Sequence, residues 1–142
     1  MYRHILIPTD GSELAWRGVA HGLALAKSVG AKVSVIFVVE PFSEMSGRFL
    51  EAVARYAELR KEQATSVLDR TANAAKEAGV SCKTIQVENG QPHQAIIAAA
   101  EDRGCDLIVM SSHGRSGLSM LLIGSVTNKV LTYAKTPVLV CQ

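Results

Sequence analysis

Five short runs of branched and apolar residues punctuate the chain: HILIPT at 4–9, KVSVIFVV at 32–39, CKTIQVE at 82–88, DLIVM at 106–110 and PVLVC at 137–141. Runs of this length and composition read as strands, several of them buried on both faces, and such strands need helices above and below the sheet. The intervening segments supply them. From about 12 to 29, Ala15, Val19, Leu23 and Ala26 share one helical stripe, Asp10 or Ser12 offers an N-cap and Gly30 a C-terminal stop. From about 48 to 78, Leu50, Ala57, Ala64, Thr71 and Ala78 recur every seven residues with Val53, Leu68 and Ala75 between them, the pattern of one long helix whose exposed stripe could meet a partner. Pro92 opens a third helix that runs towards Gly104, and Val126, Val130 and Leu131 mark a fourth. Pro41 stops the second strand from running on. Strands alternating with helices at this spacing imply right-handed βαβ units, hence an α/β chain with an open, parallel, five-stranded, Rossmann-like sheet covered on both faces. At 142 residues and 48% hydrophobic content the whole chain, 1–142, is expected to form one domain.

The segment MSSHGRSGLSMLLIGS at 110–125 lies between the fourth strand and the fourth helix. A helix start leaves backbone N–H groups unpaired, and these attract anions. Gly114, Gly117 and Gly124 can take positive φ and let backbone approach a ligand closely, Ser125 adds a hydroxyl and Arg115 a fixed positive charge. Together they read as a phosphate cradle at the carboxyl end of a strand, where open α/β sheets bind ligands. The plainer alternative is an ordinary surface loop, against which stands the apolar run LSMLLI at 118–123. His113 sits inside this cradle within reach of phosphate, although a loop histidine more often stays solvated or caps a turn. The chain contains neither GxxxxGK[ST] nor GxGxxG, so neither a P-loop nor a dinucleotide fingerprint competes.

The spacing of this loop resembles that of the universal stress protein family, whose ATP-binding members carry Gly, two residues, Gly, nine residues, then Gly followed by Ser or Thr. Here Gly114, nine intervening residues, Gly124 and Ser125 fit, while Ser111 stands in place of the first glycine. The resemblance extends to ILIPTDGS near the start, VIFVVEP after the second strand and TPVLVC at the end, and so covers essentially the whole chain. It implies a fold like that of the adenine nucleotide alpha hydrolases, with strand order 3-2-1-4-5, which sets the end of strand one beside the end of strand four. It also implies ATP as ligand, with Mg2+ accompanying the nucleotide and held chiefly by phosphate oxygens and water. By the same resemblance Asp10 accepts hydrogen bonds from ribose hydroxyls, the backbone at Val38 pairs with the adenine edge, and Pro8 and Thr9 line the wall. Ser111, His113, Gly114, Arg115, Gly117, Gly124, Ser125 and Val126 then surround the phosphates. Read from the residues alone, Asp10 is equally a helix cap and Val38 equally plain core. Because backbone amides supply most phosphate contacts, Ser111 is expected to leave ATP binding in place.

Charge and cysteine content narrow the remaining classes. With 15 basic against 13 acidic residues, scattered along the chain, the formal +2 gives no polyanion-binding patch, and nucleic acid is not the expected target. Three cysteines, Cys82, Cys105 and Cys141, are far apart without a CxxC pair and read as free, small hydrophobes in a reducing compartment. His4, His21 and His93 are dispersed, without metal-ligand spacing, and Trp16 reads as packing. No apolar run approaches a membrane span of ~20 residues and the start does not read as a signal peptide, so a cytoplasmic protein without membrane contact is expected. Phosphoryl transfer would need a base and an acceptor site, for which only Asp10, Arg115 and His113 offer themselves. The expected activity is therefore a non-enzymatic stress or signalling module, at most a slow ATPase, in which ATP orders the loop and Leu118, Leu121 and Leu122 alter a surface read by a protein partner. A nucleotide-free interaction protein and a true ATPase are the alternatives. PVLVC, from Pro137 to Cys141, ends the chain as an apolar edge strand, and the resemblance implies a homodimer through it.

Overall fold

A computed structural model describes residues 1–41, 50–114 and 122–142. The elements alternate as expected: β1 His4–Pro8, α1 Glu13–Val29, β2 Lys32–Val39, α2 Leu50–Ala78, β3 Cys82–Glu88, α3 Pro92–Asp102, β4 Leu107–Ser111, α4 Ser125–Tyr133 and β5 Val138–Cys141. All strand pairs are parallel and the sheet order is β3-β2-β1-β4-β5, the order that the resemblance implies. Strand pleating divides the core in two. Ile5, Ile7, Val35, Phe37 and Val109 face α1 and α2, whereas Leu6, Ile36, Ile108 and Met110 face the opposite cluster, to which α3 and α4 contribute Ile96, Ala100 and Val130.

The element boundaries differ from the sequence reading by one or two residues. β4 begins at Leu107, because the Asp106 carboxylate turns back to accept from the amides of Arg3 at 2.9 Å and His4 at 3.1 Å. β5 begins at Val138, since Pro137 has no N–H and contributes only its carbonyl, which accepts from Ile108. Ser12, and not Asp10, caps α1: its hydroxyl accepts from the Ala15 amide at 3.1 Å, and Gly30 ends the helix at φ +73°. In α2 the buried stripe is Arg60, Ala64, Leu68, Thr71 and Ala75, whereas Leu50, expected on that stripe, is 68% exposed. The expected start of this helix at Arg48 lies outside the described residues.

The packing of α1 bears directly on the cleft. Gly18 and Gly22 are buried beside the expected stripe of Ala15, Val19, Leu23 and Ala26. A Cβ on Gly18 would lie 3.0 Å from the Ser111 amide nitrogen and 3.4 Å from the Met110 carbonyl carbon, so the helix rests on the backbone of β4 where that strand ends.

His4, the three cysteines and Trp16 have defined structural places. His4 is buried, with Nδ1 3.1 Å from the Arg103 carbonyl and Nε2 2.8 Å from the Ser34 hydroxyl. Burial, and after it the charge of Lys32, lowers its pKa below 6.5, which keeps the ring neutral between these partners. All three cysteines are free. Burial raises the pKa of each, that of Cys105 to about 11, so little thiolate is present at neutral pH. Trp16 packs against the core with the Arg70 guanidinium 3.9 Å from its ring centroid. Among the described residues no group of His, Cys, Asp and Glu is arranged to hold a metal, and no helix is long and apolar enough to cross a membrane.

Candidate functional site

The chain leaves β1 towards β2 on one side and later returns to place β4 on the other, so the strand order reverses between β1 and β4. The turns after these two strands diverge there, and a crevice opens at their carboxyl ends. It forms a cavity of about 240 Å³. Pro8, Thr9 and Asp10 line it from the end of β1, Val38 from β2, Ser111, His113 and Gly114 from the end of β4, and Gly124, Ser125 and Val126 from the start of α4. Arg115 and Gly117, the other two residues expected here, lie outside the described residues.

Asp10 is fixed by local geometry. Its Oδ1 accepts from the Ser12 amide at 3.0 Å, an Asx turn that holds the carboxylate against the start of α1. Gly11 follows at φ +83°, a conformation that glycine adopts without strain, and a Cβ there would come within 2.9 Å of the Val67 side chain. Across the cleft a Cβ on Gly114 would run into Oδ2 of Asp10. The glycine at this position is therefore what lets the carboxylate of one strand end stand directly against the loop of the other.

The loop from Ser111 to Gly114 is tied down from several sides. The Ser111 hydroxyl donates to the His113 carbonyl at 2.6 Å, and the Thr127 hydroxyl donates to the Ser111 carbonyl at 2.9 Å. The Ser112 amide donates to Cys141 and the Ser112 carbonyl accepts from Gly124, both at 2.7 Å. The residue in place of the motif glycine thus turns its hydroxyl into the loop, where it stiffens the backbone.

Two sequence expectations need correction here. Gly124 was expected to exploit positive φ, yet it sits at φ −59°, and Gly114 is not among the positive-φ glycines either. Their function is close approach: a Cβ on Gly124 would stand 3.2 Å from the Ser112 carbonyl oxygen and 3.3 Å from the His113 Cα. His113, which the resemblance places at the phosphates although a loop histidine more often stays solvated or caps a turn, is 93% buried because the loop folds back beneath the start of α4. Its Nδ1 lies 3.0 Å from the Ser112 hydroxyl, and its Nε2 has no partner.

The start of α4 carries the electrostatic character of the cleft. Gly124 is its N-cap and provides no side-chain cap, and the first intrahelical bond runs from Asn128 to the Gly124 carbonyl at 2.9 Å. Because the Gly124 amide is already committed to Ser112, the amides of Ser125, Val126 and Thr127 are the ones left without an intrahelical acceptor. Three convergent N–H groups at the positive end of a helix favour an anion. Another part of the lining, from Ile36, Val38, Pro92, Ile96 and Met110, is apolar and suits a flat hydrophobic ring. The carboxylate of Asp10 lines the same cavity. A small amphipathic molecule with an anionic group, hydroxyls and a planar apolar ring matches this lining.

Arg60, Glu40 and Thr127 also line the cavity and were missed by the sequence reading. Arg60 carried a detectable signal. It falls on the buried stripe of α2 with Ala64, Leu68, Thr71 and Ala75, and an arginine on a helix's apolar face is out of place unless something requires it there.

Residues 1–142 match the universal stress protein family. The universal stress protein MJ0531 of Methanocaldococcus jannaschii is 37% identical over 144 residues, spanning 100% of this chain and 83% of that protein. MJ0577 of the same organism is 31% identical over 156 residues, spanning 100% of this chain and 96% of that protein. Its solved structure superposes with a TM-score of 0.78 over 99% of this chain and 95% of that one. A universal stress protein solved in complex with cAMP is 26% identical, with a TM-score of 0.75 over 99% of this chain and 97% of the other. Full-length sequence agreement, the β3-β2-β1-β4-β5 sheet and the crevice at its order reversal coincide, and the chain belongs to the universal stress protein family.

Proposed function

We propose that this cleft binds an adenine nucleotide, ATP with its magnesium ion, and that the protein is a cytoplasmic stress-response or signalling module whose interaction surface responds to the bound nucleotide. The observation that carries this reading is the juxtaposition of an α4 start with uncommitted amides and the Asp10 carboxylate across one cavity. The glycine cradle fits the ligand, since a Cβ at Gly114 or Gly124 would meet protein atoms at its edge. The amides of Ser125, Val126 and Thr127 would hold phosphate oxygens, Asp10 the ribose hydroxyls, and the apolar wall around Val38 the base. The unpartnered Nε2 of His113 adds a polar atom beside the phosphates. The complex of a 26% identical relative with cAMP supports an adenine nucleotide in particular. ATP brings its magnesium ion, which neutralises phosphate charge.

The nucleotide acts as a switch in this reading. Leu122 and Ile123, at the edge of the cradle, are 69% and 49% exposed, so ordering of the cradle would reposition apolar surface that a protein partner could read. Leu118 and Leu121 belong to the same run but lie outside the described residues. Chemistry beyond binding is confined to slow hydrolysis at most. Purified protein, denatured and chromatographed, is expected to release ATP, and added ATP is expected to slow hydrogen exchange at Ser125, Val126 and Thr127. Unchanged exchange at saturating ATP would refute the switch. Turnover above roughly one per second, the range of dedicated kinases, would refute the non-enzymatic assignment.

The proposal includes a homodimer through β5. Among the described residues this strand pairs only with β4, and along it Val138, Val140 and Cys141 are half-buried while Leu139 is 37% exposed. The other sheet edge, β3, exposes Lys83, Thr84, Gln86 and Glu88, side chains that discourage pairing. Sedimentation at micromolar concentration is expected to give a dimer, and a monomer alone would count against it.

A further inference from the structure

Arg60 poses a physical problem that the nucleotide reading does not address. It is 91% buried, its Nε has no hydrogen-bond partner, and its guanidinium lies 5.5 Å from the Phe37 ring centroid. One terminal nitrogen donates to Oε1 of Gln63. Among the described residues no carboxylate comes within ion-pair distance of it. Its contacts among the described residues are a neutral amide and an aromatic face, so a positive charge is withdrawn from water without an ion-pair partner there, a situation that is costly unless something completes it. The residue borders the cavity, and an anion entering there is the available completion.

The position of this charge follows from its contacts. Gln63, which accepts from Arg60, also presents Nε2 3.5 Å from where a Cβ on Gly11 would stand, so the guanidinium lies beside the turn that carries Asp10. The Asp10 carboxylate itself faces Gly114 and the cradle. One cavity thus brings together the cradle, Asp10 and Arg60. The 5′ phosphates belong at the first, the sugar at the second. In nucleotide-binding α/β folds a carboxylate selects a free ribose hydroxyl and an arginine accommodates a ribose phosphate. This cleft presents both beside one sugar position.

Resting on the adenine-nucleotide reading above, we propose that Arg60 is a second anion-recognition point on the sugar side of the cleft, so that the site takes an adenosine nucleotide with a phosphomonoester on the ribose 2′ or 3′ oxygen in addition to its 5′ phosphate. Asp10 accepts from the remaining free hydroxyl, and the guanidinium forks onto the ribose phosphate. Gln63 and the Phe37 ring hold the fork in place as positioning residues.

Calorimetric titration of the intact protein with adenosine 5′-monophosphate, adenosine 2′,5′-bisphosphate and adenosine 3′,5′-bisphosphate tests this directly. One bisphosphate is expected to bind about tenfold or more tightly than the monophosphate, the gain of one charge-assisted contact, and the better isomer identifies the oxygen. In Arg60→Gln, checked for native folding by circular dichroism, that ratio is expected to fall to about one, and in Arg60→Lys to an intermediate value. Equal affinities of the wild-type protein for all three ligands would overturn the inference while leaving the nucleotide site standing. A ratio that persists in Arg60→Gln would overturn the role of Arg60. Failure of all three to bind would overturn this inference, and failure of ATP with magnesium in a parallel titration would remove the reading beneath it as well.

Discussion

Gly124→Asp is expected to abolish nucleotide binding, lowering affinity at least about a hundredfold. Two effects add. The new Cβ must fit where atoms of Ser112 and His113 stand 3.2 and 3.3 Å away, which displaces the loop that the Ser112 carbonyl anchors. The new carboxylate then faces phosphate at the start of α4, and like charges brought together in an interface cost several kcal/mol, of which about 2.7 kcal/mol suffices for a hundredfold. Aspartate is nevertheless a favoured N-cap, so α4 itself should not be destabilised by the change. Calorimetric titration with ATP separates the contributions when Gly124→Ala is measured alongside: crowding alone predicts a smaller loss for alanine. Wild-type affinity in Gly124→Asp, with folding intact, would mean that the phosphates lie elsewhere.

Phe37→Ala is expected to produce the largest loss of stability. The ring is fully buried between β2 and α2, lies beneath the Arg60 guanidinium and comes within 3.8 Å of a Cβ placed on Gly11. Removing a buried aromatic ring typically costs about 3–5 kcal/mol through lost transfer energy and the cavity left behind. For a chain of this size that corresponds to a fall of roughly 10 °C or more in the thermal midpoint. Because the ring also supports Arg60 and the turn carrying Asp10, ligand affinity should fall together with stability. A thermal melt within a few degrees of wild type would show that the neighbouring side chains close the gap.

These two residues illustrate what could be read before any coordinates. Phe37 belongs to KVSVIFVV, and the strands and their alternation with helices followed from such branched, apolar runs because a two-sided parallel sheet demands them. Gly124 was legible from its spacing to Gly114 and its place before Ser125, but not from its conformation: the expectation was a positive φ, and the requirement proved to be absence of a side chain beside Ser112 and His113. Close approach between segments distant in sequence leaves no local pattern. The same holds for Gly18, whose partner is β4, and for His113, whose burial depends on α4 closing over it. Arg60 was the opposite case, a polar residue interrupting an apolar helical stripe, visible in the sequence once the stripe is taken as a buried face.

The contact of Gly18 with the last residues of β4 has a mechanical consequence for the cleft. α1 begins directly after the Asp10 turn and rests on the backbone at Ser111, so the two banks that carry the carboxylate and the loop are clamped by a seam without side-chain padding. A seam of that kind neither stretches nor slides to admit a bulkier guest. At this seam the gauge of the crevice is therefore set by backbone contact, and a guest must fit the width that α1 and β4 leave.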